Sequence, residues 1–213
     1  MPVRPAQRRS PAPRAARKDP AVQGTLDAAY RLQQAGSLME AELLYRRVLQ
    51  SEPGNPFCLY ALGTISLNRG ESERAVEFLR AALLQGYVHE TVFTHLGIAL
   101  QGLGRQDEAL DLYRLGMKNE PANPRYPSNA SVILAQRGDH EGALELARKA
   151  LAMDANFAPA CSNAAFFLQE LGRLQEAADM FDRALLLDPQ NEPLRAALQA
   201  VRQKLAATPG TGT

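Results

Sequence analysis

The sequence has no tryptophan, two cysteines among 213 residues, and almost no net charge, with 24 lysines and arginines against 23 aspartates and glutamates. Each scarcity excludes something. Cys58 and Cys161 lie far apart with no CxxC pair, so neither a disulfide framework nor a cysteine zinc site is expected. No run of about 18 apolar residues occurs, which argues against a membrane-spanning helix. His89, His95 and His140 show no HxxxH or HExxH spacing, so no metal is expected. Glycine loops for phosphate and a Gly-x-Ser-x-Gly nucleophile are missing as well. The expectation is therefore no cofactor, no catalytic residue and no enzyme activity, with both cysteines read as small buried apolar side chains. An apolar content of 46% still describes a folded globular chain.

The small net charge hides an uneven distribution. Residues 1–18, MPVRPAQRRSPAPRAARK, hold six basic residues, four prolines and no acid. Pro2, Pro5, Pro11 and Pro13 oppose a continuous helix, and no apolar stretch follows that could serve as a signal peptide. Residues 1–21 read as a solvated basic tail with an acidic partner as its possible use, and the chain as cytoplasmic. Beyond residue 20 the balance is 18 basic to 22 acidic groups, a mildly acidic body. Residues 208–213 read as a flexible stop.

Comparison of the chain with itself brings out the dominant pattern. Gly36, Gly70, Gly104, Gly138 and Gly172 recur every 34 residues, and Ala41, Ala75, Ala109, Ala143 and Ala177 follow in step. The repeats are 22–55, 56–89, 90–123, 124–157 and 158–191. Each reads as two helices, the first closed by the glycine in a left-handed turn. Two further columns face each other: small Ala29, Gly63, Gly97, Ser131 and Ala165 on the first helix, and Tyr45, Leu79, Tyr113, Ala147 and Phe181 on the second. Pro53, Pro121 and Pro189 stop three of the second helices. Gly86 is expected to make the turn in the second repeat, and Pro127 to delay the fourth repeat's first helix by a few residues. In residues 192–207, Leu194, Leu198, Val201 and Leu205 form a narrow apolar stripe, as on a capping helix.

This order of small, small, bulky and proline over 34 residues resembles the tetratricopeptide repeat, across about 170 residues. The resemblance implies an all-α, right-handed superhelix of five helix-turn-helix repeats plus a C-terminal cap, its first helices lining a concave groove. The tryptophan usual in that family is replaced at Thr25, Leu59, Phe93, Pro127 and Cys161.

Asn129 and Asn163 stand at the sixth place of their repeats, each preceded by a serine, Ser128 and Ser162. A side-chain amide offers a donor and an acceptor in one plane, enough to clasp both backbone groups of an extended peptide. The segments SNASVILAQRG and SNAAFFLQELG are similar to the repeats of the O-linked N-acetylglucosamine transferases, which carry an asparagine ladder there. That likeness implies peptide binding by Asn129 and Asn163, with Ser128, Ser162, Arg125, His95 and Thr94 nearby. The lysine–asparagine clamp with which some relatives hold chaperone tails is missing, since Leu26/Tyr30, Tyr60/Thr64 and Thr94/Ile98 occupy its places. Phe57, Tyr60, Tyr87, Phe93, Tyr126, Phe166 and Phe167 read mostly as packing residues. Gln33, Gln34, Asn68, Gln101, Gln136 and Gln169 read as polar residues of the groove face.

The expectation is a scaffold or adaptor that binds an extended segment of a partner protein, with self-association through end helices as a further option. Three alternatives stay open: a secretion or pilus chaperone, an accessory presenting substrate to a separate glycosyl-, sulfo- or methyltransferase, and nucleic-acid binding through the basic tail.

Overall fold

The structure is a computed structural model describing residues 19–207, so most of the basic tail and the stop at 208–213 lie outside the described residues. Among the described residues the chain forms eleven helices and no strand: α1 (Pro20–Gln34), α2 (Leu38–Ser51), α3 (Pro56–Asn68), α4 (Ser72–Leu84), α5 (Glu90–Gly102), α6 (Gln106–Asn119), α7 (Arg125–Gln136), α8 (His140–Met153), α9 (Ala158–Glu170), α10 (Leu174–Leu187) and α11 (Glu192–Ala207).

The 34-residue glycines close the odd-numbered helices. Gly36 and Gly70 have φ of 80° and 73°, and the residue after each returns its N–H to the finished helix, as Ser37 N does to Leu32 O at 2.9 Å. Gly86, at φ 83°, ends α4 in the same way, with Tyr87 N donating to Ala82 O at 2.9 Å.

Two expected boundaries move. α1 begins at Pro20, two residues before the repeat edge read from the sequence, because Asp19 accepts the Ala21 N–H at 2.9 Å and proline needs no partner there. The expected delay at Pro127 is corrected. α7 begins at Arg125, one place into its repeat, and Pro127 falls in the first turn, where an N–H has no helical acceptor to lose.

Packing within each pair follows the facing columns. The five repeat alanines are wholly buried. A Cβ on Gly63 would lie 2.6 Å from Leu79 Cγ, and one on Gly97 would lie 2.1 Å from Tyr113 Oη. In the fourth repeat Ala147 leaves room for Ser131, whose hydroxyl donates to Ser128 O at 2.6 Å. The buried phenols are paired: Tyr45 donates to Gln33 Oε1 at 2.9 Å, and Gln101 Nε2 donates to Tyr113 Oη at 3.3 Å. Gln33 and Gln101 thus serve the wall between the helices, which corrects their reading as groove residues.

Ion pairs join successive repeats on the outer side. Buried Glu42 of α2 accepts Arg46 at 2.6 Å, Arg69 at 2.5 Å and Arg74 at 3.5 Å. Glu108 accepts Arg105 of its own repeat and Arg80 of the preceding one, and those hydrogen bonds, Arg105 first, hold its carboxyl at about 2. Asp107 reaches Arg137 of the following repeat at 2.9 Å. These carboxylates therefore bridge repeats.

The odd helices α3, α5, α7 and α9 touch from one repeat to the next, and no pair of even helices does so to a comparable extent. The stack accordingly curves with the odd helices inside. α11 packs on α10 through buried Leu194, Leu198 and Val201. Among the described residues no helix is long and apolar enough to cross a membrane.

If small-against-large packing sets the helix spacing, Gly97→Ala should lower stability by about 1–3 kcal/mol through overpacking. Tyr113→Ala in the same chain should recover part of that loss. Urea unfolding of both single variants and the double variant measures the coupling, and strictly additive losses would contradict it.

Candidate functional site

The inner face carries one rung at each junction between repeats. The fifth residue of one repeat lies near the sixth residue of the next, 35 positions on. At the first junction Leu26 and Ala61 share an apolar cluster. At the second, Tyr60 Oη and His95 Nδ1 are 3.3 Å apart. At the fourth, Asn163 Nδ2 donates to both the carbonyl and the hydroxyl of Ser128, each at 3.3 Å.

By the same 35-residue spacing, the third junction falls at Thr94 and Asn129. Thr94 Oγ1 and Asn129 Nδ2 are both buried atoms without a hydrogen-bond partner. Leaving a buried polar group unpaired costs about 1–3 kcal/mol, so this rung has capacity for an incoming carbonyl or N–H.

The other expected residues divide. His95 is half-buried within the aromatic part of the face. Arg125 is exposed at the start of α7, its guanidinium 5.9 Å from the centre of the Phe157 ring. Ser128 is only 1% exposed and orients Asn163 from inside the wall. The Ser162 hydroxyl donates to Ala158 O at 3.0 Å, a bond within its own helix. Ser128 is thus part of the wall, whereas Ser162 stays partly exposed.

A row of rings completes the face. Tyr60 stacks on Tyr87 at 5.0 Å and on His95 at 5.8 Å, and Phe57 meets Tyr87 at 6.4 Å and Tyr30 at 6.5 Å. Tyr30 is half exposed, and Phe57, Tyr60 and Tyr87 are only partly buried. Phe93, Tyr126 and Phe167 are core, as read from the sequence, whereas Phe166 is exposed with its edge against Phe181. The connected row was missed because Tyr87 belongs to no helical column. It enters from the turn at Gly86, and the replacement of the usual proline by Gln-Gly-Tyr was the available signal. Beside this row opens a cavity of about 660 Å³ between α1 and α3, bordered by Leu26, Asp27, Tyr30, Glu52 and Phe57.

Burial lowers the His95 pKa below the usual histidine value, which keeps the ring neutral near pH 7. Both thiols are wholly buried. Burial, and then the nearby Glu52 charge, pushes Cys58 up to about 12, and burial also raises Cys161, so neither resembles an activated nucleophile. Among the described residues no three His, Cys, Asp or Glu side chains gather as metal ligands.

Two models of the tetratricopeptide repeat match the chain, one over residues 26–87 and 94–158, the other over 134–201. The chain belongs to the tetratricopeptide-repeat (TPR) family. The eleven helices of the described residues form the right-handed TPR superhelix. It is similar to the structure of TTC0263, a TPR protein of Thermus thermophilus, with 22% identity and a TM-score of 0.68 over 85% of this chain and 99% of that one. It is also similar to MamA from Desulfovibrio magneticus RS-1, with 20% identity and a TM-score of 0.69 over 82% and 98% of the two chains. A third similar structure is YrrB, described as a TPR protein with an unusual peptide-binding site, with 20% identity and a TM-score of 0.62 over 82% and 90%. No curated protein matches the sequence.

The environment of His95 has a measurable consequence. Its pKa is lower in the folded than in the unfolded chain, so the unfolded chain binds more protons. The stability it contributes is fully present above about pH 6.5 and is lost as pH falls through the lower folded value. Proton NMR should place the His95 midpoint below that of an unfolded peptide, and H95Q should flatten the dependence of the urea midpoint between pH 7 and 5.

Proposed function

We propose that this TPR protein is a non-catalytic scaffold that holds an extended segment of a partner protein along its odd-helix face. The observation that carries the reading is that Thr94 Oγ1 and Asn129 Nδ2 are buried without hydrogen-bond partners, between the Tyr60–His95 and Ser128–Asn163 contacts along the chain. An extended strand presents backbone groups every ~3.3 Å, and adjacent carbonyl and N–H groups suit a side-chain amide. Asn129 takes one such group. Asn163, oriented by Ser128, contributes its carboxamide oxygen one repeat further along. Thr94 and His95 flank the segment on one side, and Arg125 supplies a cation at the rim. Ser162 supports its helix.

A main-chain grip of this kind is largely independent of ligand sequence. Sequence preference then comes from the rings on the Tyr60 side, which offer flat apolar surface with polar tips. Burial of both thiols and the use of Glu42 and Glu108 in ion pairs between repeats support a binding role over a catalytic one.

Related structures make such a ligand reasonable. The first TPR region of Spaghetti (RPAP3) was solved with the HSP90 peptide SRMEEVD, and this chain is 28% identical to it over 55% of its length. The places of the lysine–asparagine clamp are filled here by Leu26/Tyr30, Tyr60/Thr64 and Thr94/Ile98, so an acidic chaperone tail is not the ligand proposed.

Affinity capture followed by quantitative mass spectrometry, with N129A/N163A beside the natural chain, tests the reading. Captured partners should weaken by about tenfold or more, as expected on losing one to two hydrogen bonds to a buried amide. Circular dichroism should be unchanged. Equal capture by both proteins, each folded, would overturn the assignment of the asparagines.

A further inference from the structure

The turn between α2 and α3 holds a polar arrangement that recurs along the array. Asn55 caps α3 by accepting the Cys58 N–H at 3.1 Å, and its amide donates to Glu52 Oε2 at 2.7 Å. Two repeats on, Asn123 donates to Glu120 in the same way at 2.9 Å, but Glu120 also accepts the Tyr126 hydroxyl at 3.1 Å. Cys58 stands in the first case where Tyr126 stands in the second, so Glu52 is held in place with its other oxygen open. A second carboxylate lies close by. Of the residues at the sixth place of the repeats, Asp27, Ala61, His95, Asn129 and Asn163, the first alone is acidic.

Asp27 and Glu52 both border the cavity of about 660 Å³ between α1 and α3, whose walls include Val22, Leu26, Tyr30 and Phe57. That volume lies within the range of built ligand sites. Asp27 is exposed and is met by the neutral Gln23 amide at 2.9 Å. Among the described residues no lysine or arginine pairs with either carboxylate, Arg31 one turn further along α1 included, although Glu42, Glu108, Asp107 and Glu176 each hold an arginine. At the corresponding turn two repeats on, the chain supplies a cation itself. Arg125 occupies the place of Phe57, its guanidinium lies 5.9 Å from the centre of the Phe157 ring, and Glu120 and Asp154 border the same cavity. The α1–α3 cavity has the rings and the carboxylates, and its cation has to come from another molecule.

We propose that this cavity is a site for an arginine side chain of the partner, with the guanidinium against Tyr30 and Phe57 and its N–H groups on Asp27 and Glu52. Tyr30 is half exposed and offers a ring face, and a planar guanidinium can lie on that face while its edge donates to carboxylates. Arginine suits the site better than lysine, because an ammonium is a compact, strongly hydrated point charge without a face to stack. The inference rests on the reading of an extended partner segment only for the source of the arginine, and the site itself uses neither Asn129 nor Asn163. It also fixes how a segment lies, with its arginine at the α1 end and its main chain on the amides of α7 and α9.

The probe is an acetylated, amidated peptide, GSGSRSGSG, titrated into the isotope-labelled full chain and followed by NMR. Its shifts should centre on residues 22–30 and 52–57. A peptide with citrulline, the neutral isostere, in place of arginine should bind about tenfold more weakly or less, as should the arginine peptide to D27N/E52Q, on losing charge-assisted hydrogen bonds. Raising salt should weaken the arginine peptide, because exposed charges are screened within about 8 Å at physiological ionic strength. N129A/N163A should leave these shifts intact, which separates this site from the asparagine grip. Circular dichroism checks the fold of each variant, and the citrulline peptide tests the natural chain. Equal binding of the arginine and citrulline peptides would overturn the proposal, as would arginine-dependent shifts that centre elsewhere on the array or vanish in N129A/N163A.

Discussion

The close approach of the two helices within each repeat governs the rest of the molecule. Gly63 and Gly97 leave no space for a Cβ against Leu79 and Tyr113, and the repeat alanines are buried completely. Once that distance is set, each pair presents an apolar edge that only another pair can cover, and five repeats stack until α11 covers the last edge. The curvature follows from the same constraint. Odd helices, narrow at their small-residue column, touch from repeat to repeat, while even helices are tied by ion pairs such as Glu108 of α6 with Arg80 of α4.

That curvature creates the inner face. Bringing the odd helices together places the fifth residue of one repeat against the sixth of the next, and the chemistry of each junction depends on which side chains meet. Leucine and alanine close the first junction, tyrosine and histidine stack at the second, and serine and asparagine are bonded at the fourth. Thr94 and Asn129 at the third are left without partners. An array of equivalent positions thus becomes a face with two unlike ends, one of rings and carboxylates and one of amides.

Much of the fold is legible in the sequence because its determinants are local and repeated. A glycine at fixed spacing, a small residue facing a bulky one and a proline past a helix end each act within one repeat, so five copies reinforce one another. The misreadings occurred where a residue's role depends on a neighbour outside its own helix. Gln33 and Gln101 looked like groove residues until the buried phenols of Tyr45 and Tyr113 supplied their partners. Pro127 looked disruptive because its place in the first turn, where no N–H is needed, was misjudged by a few residues.

By itself, the sequence determined the family, the number of repeats, the turn glycines and the columns that pack the helices, because each follows from spacing along the chain. It also singled out Asn129 and Asn163 as unlike their neighbours. Only the tertiary structure decided which polar groups remain unpaired, that Ser128 lies inside the wall, and that Tyr30, Phe57, Tyr60, Tyr87 and His95 form one connected surface. The reason is physical: pairing and exposure belong to contacts between repeats, and those contacts depend on the curvature of the whole stack rather than on any one segment.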